Sequence, residues 1–240
     1  MKNLIFQEYG NSLTLESLNA VEFFLRKIDT KVKNYTNFER ERYYILKYIL
    51  LLAQNNKLDY PVYIECLDLG KKNNLPDFKL VESGREYVLE AIMATTEEFM
   101  HQSRVLFKDK KTIEHKVWIE GQKVRISTRD ASKLLLGLPV GNQIPEMAFA
   151  IIVSDAIKKK LLKSKQYDVD RNLKKELLVY YNFPLQSIIN TNNALVALYN
   201  YVHIVDSIKT EFAKVHILTD NKLIYNVFEE SEIEFFYLSE

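Results

Sequence analysis

Residues 77–95 carry the clearest pattern of polar and apolar positions in the chain. Polar and apolar side chains alternate on both sides of Ser83-Gly84, which predicts two half-buried strands joined by a tight turn, the glycine supplying a position of positive φ. With Glu82 facing Arg85, Phe78 faces Leu89, Leu80 faces Tyr87 and Asp77 faces Glu90. Phe78, Leu80, Tyr87 and Leu89 make an apolar face. A slip of one residue would turn that face to water, so the register is strongly specified. The same register sets two carboxylates together on the other face. Facing like charges weaken a sheet and call for a counter-charge. A divalent cation is one candidate; Lys79, two residues from Asp77 on the same face, is the other, as an ordinary surface ion pair.

Taken in order, the chain alternates helical and extended patterns. Residues 13–33 show helical spacing at Leu15, Leu18, Val21, Phe24, Leu25 and Ile28, with Asn11 or Ser12 as N-cap. A second helix is predicted over 37–55, burying Tyr44, Ile45, Tyr48, Ile49 and Leu52. Residues 61–67 alternate like a strand, 70–74 form a turn or loop, and 97–107 read as a helix. Residues 108–143 break the pattern and are read as an insertion, with a hairpin over 116–126 that carries Trp118. A long helix follows at 144–167. Residues 176–181 are a continuous apolar run of the kind that sits mid-sheet. The pattern then predicts a helix over 185–212, broken near Asn190–Asn193, strands at 215–218 and 223–227, and an acidic, aromatic tail at 229–240.

Composition narrows the class. A chain of 240 residues with 47% hydrophobic content can bury one sizeable core, so one domain is expected, an α/β fold. The formal net charge of +1 excludes a global basic field, and any nucleic-acid binding must come from a local patch. Lys158, Lys159, Lys163 and Lys165 supply such a patch, or else a solvated helix face. The single cysteine, Cys66, fits a reducing compartment and a buried strand position. No signal-peptide core or membrane span is evident, so a cytoplasmic location is expected. The four histidines lack zinc-ligand spacing, and the six glycines form no phosphate-cradling loop. His216 lies within a predicted strand and reads as a hydrogen-bonded core or edge residue.

Pro76-Asp77-Phe78, then Glu90 with Ala94-Thr95 on the next strand, then Ile157, Lys160, Lys163 and Tyr167 on a helix leading into Leu177-Leu178-Val179-Tyr180, together resemble the PD-(D/E)XK, or restriction-endonuclease-like, superfamily. The likeness is to a divergent bacterial branch with Glu-x-Thr in place of Glu-x-Lys, and it spans residues 39–182. It implies a mixed central sheet flanked by helices, with the hairpin insertion at 108–143, over a domain of residues 39–240 preceded by an N-terminal helical segment, 1–38. It also implies a metal-dependent nuclease that hydrolyses phosphodiester bonds in DNA or RNA. In that family the Asp of the first strand and the Glu of the second hold Mg²⁺ or Mn²⁺, positions matched here by Asp77 and Glu90. The Ala91 carbonyl and Glu41, or Glu39, are the further ligands implied. Two residues past Glu90 lies Ile92, where the family has lysine. Lys79 or Lys160 is then the candidate catalytic lysine, since members of the superfamily place it on the helix. Nucleic acid is the implied partner, and a homodimer the implied assembly. The alternatives that stay open are a catalytically inactive copy of the fold that binds nucleic acid or protein, and an interaction protein of another α/β fold using Trp118 and the acidic tail as contact surfaces.

Overall fold

The computed structural model describes residues 11–27, 37–67, 74–95, 144–167, 173–181, 190–202, 205–219 and 222–237. The helix expected at 97–107, the insertion at 108–143 and the residues at 185–189 lie outside them. The chain divides into two compact units, Met1–Ile92 with Lys159–Tyr180 and Ile204–Glu240, and Met93–Lys158 with Tyr181–His203.

The first unit is built on a sheet. Among the described residues it has eight strands in chain order, β1 (Ser12–Leu15), β2 (Val62–Cys66), β3 (Phe78–Glu82), β4 (Arg85–Ala94), β5 (Lys174–Tyr181), β6 (Lys214–Leu218), β7 (Lys222–Tyr225) and β8 (Glu234–Tyr237). The sheet is mixed. β1 to β4 pair antiparallel, β5 and β6 pair parallel, and β6 to β8 return to antiparallel pairing. The protein is therefore α/β, as its pattern predicts.

The hairpin of β3 and β4 has the expected register, with Phe78 opposite Leu89, Leu80 opposite Tyr87 and Glu82 opposite Arg85. Its turn places both central residues at positive φ, Ser83 at 46° and Gly84 at 78°. Such a turn matches the twist of the flanking strands and holds that register. In β2, Val62, Ile64 and Cys66 are buried in alternation with Tyr63 and Glu65. β5 lies mid-sheet between β4 and β6, with every residue from Glu176 to Tyr181 buried.

Helix α1 (Leu18–Lys27) and helix α2 (Asn37–Gln54) precede the central strands. α2 buries Tyr44, Ile45, Tyr48, Ile49 and Leu52, all of its expected core positions. It packs on one side of the sheet, where the Tyr44 ring stacks on Tyr180 with centroids 3.6 Å apart and the Tyr48 hydroxyl lies 3.4 Å from His216 Nε2. Helix α3 (Ile144–Ser164) reaches the other side from Lys159 onward, where the Ser164 carbonyl accepts from Lys175, whose side chain alternates with that of Glu176. Phe78, Leu80, Tyr87 and Leu89 thus face α2, while Asp77 and Glu90 face α3.

Three expectations change. The helix expected from Leu13 begins at Leu18, and residues 12–15 form β1 at the sheet edge. Ser-Leu-Thr-Leu alternates with period two, Leu13 and Leu15 are buried against β2, and the Ser17 hydroxyl rather than Asn11 or Ser12 accepts from the first turn at Ala20 N. The helix expected over 185–212 is instead α4 (Thr191–Tyr201) and, separately, α5 (Val205–Glu211). Asn190 caps α4, its Oδ1 accepting from Asn193 N at 3.1 Å. Part of the acidic tail forms β8, with Phe236 buried opposite Leu223, Glu234 paired with Lys57 at 2.8 Å and Tyr237 exposed.

In the second unit, the first half of α3 packs with α4. Glu146 accepts from the backbone N–H of Asn190 at 2.9 Å, and Phe149 meets the Tyr181 ring edge-on at 4.9 Å. Among the described residues no helix is long and apolar enough to cross a membrane.

Leu178 is fully buried at the centre of β5. Leu178→Ala is expected to destabilise the protein by about 2–5 kcal/mol, measured by urea denaturation, through lost burial and the cavity left behind.

Candidate functional site

The two carboxylates that the hairpin register predicts as neighbours meet at one cation. Lys160 Nζ, on α3, donates to Asp77 Oδ2 at 2.9 Å and also hydrogen-bonds Glu90 Oε2. Asp77 is further held by the backbone N–H of Ala91, which donates to Oδ2 at 2.8 Å, and its own carbonyl accepts from Leu67 N at 3.1 Å. The hairpin thus aims the Asp77 carboxylate through its own main chain. All three side chains are buried, with relative exposures of 6% for Asp77, 1% for Glu90 and 8% for Lys160.

Burial sets the electrostatics. Loss of solvent, and then the Asp77 carboxylate, push the Glu90 carboxyl up to about 8, against the pull of Lys160 and of the Tyr167 hydroxyl. Burial alone would lower the proton affinity of Lys160. Asp77 and Glu90 outweigh that and hold the ammonium above its usual range. A buried ion cluster of this kind is costly to break, because removing one partner leaves an uncompensated charge.

The other sequence-predicted residues are placed differently. Lys79 shares the face of the two acids, but its ammonium pairs with Glu86 at 3.0 Å. Ala91, whose carbonyl the resemblance implies as a further metal ligand, gives its N–H to Asp77. Glu41 stands on α2, across the sheet, where its charge raises the proton affinity of the Cys66 thiol. That thiol, buried as expected, is pushed up to about 11, chiefly by desolvation. Among the described residues no third His, Cys, Asp or Glu joins Asp77 and Glu90 in a cluster able to hold a metal ion. The side chain of Glu39 is outside the described residues.

The lysine run at 158–165, its last member just past the end of α3, divides by orientation. Lys160 points inward, Lys159, Lys163 and Lys165 are exposed, and Lys158 is half-buried, 3.8 Å from Asp155 and over the Tyr201 ring. Lys163 lies over the Tyr167 ring.

A second buried polar cluster surrounds His216, which is the hydrogen-bonded core residue expected. His216 Nδ1 accepts from Asn226 N at 3.3 Å, which puts the ring proton on Nε2, 3.2 Å from Glu176 Oε2 and 3.4 Å from the Tyr48 hydroxyl. Glu176 also pairs with Arg85 at 3.3 Å. Burial lowers the proton affinity of His216, with Glu176 opposing. The cluster satisfies its own polar groups and joins α2 to β5, β6 and β7, which makes it structural. Its sequence signals were the histidine within a predicted strand and a glutamate opening an apolar one. In the second unit, Glu146, Met147, Ala150, Asn193, Val196 and Tyr201 line most of a groove of about 310 Å³.

The buried cluster of Asp77, Glu90 and Lys160 is the candidate site. No protein-family model, curated protein or solved structure matches the chain.

The elevated Glu90 carboxyl makes stability pH-dependent. Its folded value of about 8 exceeds the ordinary 4.5. The fold binds the extra proton between them, so this contribution is fully present below the ordinary value and is lost as pH rises through the folded one. Urea titrations without divalent cations should show wild type losing stability relative to Glu90→Gln between about pH 5 and pH 9.

Proposed function

We propose that Asp77, Glu90 and Lys160 are the catalytic group of a divergent PD-(D/E)XK-type, metal-dependent phosphodiesterase acting on nucleic acid. The observation that carries this reading is their convergence. A lysine on α3 reaches the same two acids, on adjacent strands, that the sequence pairs, and supplies the positive charge that Ile92 cannot. The order of α2, β2, β3, β4, α3 and β5 supports it as well, being a helix, three strands, a helix and a mid-sheet strand.

The donor set fits a hard divalent cation: two buried acids, Asp77 and Glu90, converge on one positive centre. Asp77 and Glu90 would hold Mg²⁺ or Mn²⁺, which when bound supplies Lewis-acid stabilisation of charge on phosphorus and a more acidic water. The chain's own residues orient the rest. The Ala91 N–H keeps Asp77 in place whichever way Lys160 moves. Lys160 carries its proton on Nζ and, once turned toward substrate, can hydrogen-bond a phosphate oxygen or protonate a departing alkoxide. Lys159 and Lys163, exposed on α3, and Lys165, just past its end, are placed for phosphate contacts in a chain whose formal net charge is only +1.

One observation favours a second reading, an inactive copy of the fold that binds nucleic acid or protein: the three site residues are nearly closed to solvent. There the cluster serves as a structural ion bridge.

The two readings part in an assay of nucleic-acid cleavage with Mn²⁺ or Mg²⁺. Cleavage is expected to need the metal and to fall by roughly a hundredfold or more in Asp77→Asn, the scale of losing one electrostatic contact to a developing charge. No cleavage under any metal, or cleavage indifferent to Asp77→Asn, would sink the nuclease reading. Binding of nucleic acid to the Mg²⁺-free protein should weaken steeply with salt, and each of Lys159→Ala, Lys163→Ala and Lys165→Ala should reduce the log–log salt slope by about 1.

A further inference from the structure

Resting on the metal-site reading above, we infer that the Lys160 ammonium is an internal competitor for the divalent cation. It occupies the point on which Asp77 Oδ2 and Glu90 Oε2 converge, so an ion can enter only as Lys160 leaves. The exchange makes the site self-regulating. Without metal the lysine is locked to the acids and cannot meet a substrate; with metal it is released at the moment it is needed.

Three features of the cluster lead there. The oxygens that hold the lysine are also the site's candidate metal donors, and two cations cannot share so small a space without strong repulsion. The helix itself is anchored, because Ile157, Leu161 and Ser164, on the same face as Lys160, are buried. Only the side chain is left to move, and four methylenes give the ammonium several rotamers. Asp77, finally, keeps its Ala91 hydrogen bond through the exchange, so the acid does not follow the departing lysine. Mutually exclusive ligands of one site weaken each other reciprocally, so removing the lysine must strengthen the metal.

The test is Mn²⁺ affinity, by calorimetry or by loss of the free-ion EPR signal, on the full chain. Lys160→Gln and Lys160→Met are compared with wild type and with Lys209→Met, which deletes an exposed ammonium paired with Glu229. Both Lys160 variants should bind roughly tenfold or more tightly than wild type, and Lys209→Met should match wild type. If wild type binds Mn²⁺, loses it in Asp77→Asn, and the Lys160 variants bind no tighter, the competition is refuted while the metal site stands. If neither wild type nor any Lys160 variant binds, the metal site falls and the competition with it. Because the Lys160 variants leave two buried acids without a counter-charge and could unfold, the exchange is also read on wild type. The side-chain ammonium NMR signal of Lys160 should lose its protection from solvent exchange as Mg²⁺ saturates the protein; a signal unchanged at saturation overturns the inference.

Discussion

Two acids placed side by side on a sheet, and then covered, must find a positive charge, and much of the first unit is arranged around that requirement. The hairpin register brings Asp77 and Glu90 together, and α3 lies over them with Lys160 directed inward. Neither half is stable alone. Two buried carboxylates without a cation would repel, and a buried ammonium without them would give up its proton. The cluster therefore couples the hairpin to a helix that is remote from it in the chain.

The register on which this depends is set twice. Locally, Ser83 and Gly84 take the positive φ angles of a turn that matches strand twist. Globally, Phe78, Leu80, Tyr87 and Leu89 must all face α2. Because side chains alternate along a strand, burial of the apolar face against α2 commits Asp77 and Glu90 to α3. On the α2 side the sheet is also pinned by a polar device, the Glu176–His216–Tyr48 cluster, where the histidine is held neutral by burial and by the N–H it accepts from Asn226. One side of the sheet thus carries a polar group that has settled its needs internally, the other an ion cluster whose cation comes from a distant helix. That contrast is what marks the Lys160 cluster as the candidate for chemistry.

Much of this was legible in the residues because it follows from short-range rules. Period-two alternation gave the hairpin, its register, β2 and the mid-sheet place of β5, and helical spacing gave the buried face of α2. The same rules failed where two periods compete over few residues. Leu13 and Leu15 suit the first turn of a helix as well as a short edge strand, and the tie was broken by the open edge of β2. The tail at 229–240 showed only charge and aromatic content, and pairing with β7 made part of it a strand.

For the site, the chain by itself determined that Asp77 and Glu90 would be neighbours, since a hairpin is a local structure whose pairing can be counted along the sequence. It did not determine which lysine would answer them. Lys79 was nearest in sequence and shared their face, yet it pairs with Glu86. Lys160, set apart from its run of lysines only by the family resemblance, was settled when α3 packed against the sheet and helical phase turned that one ammonium inward. A contact between distant segments depends on how a helix is docked and rotated, and that is decided by the whole core.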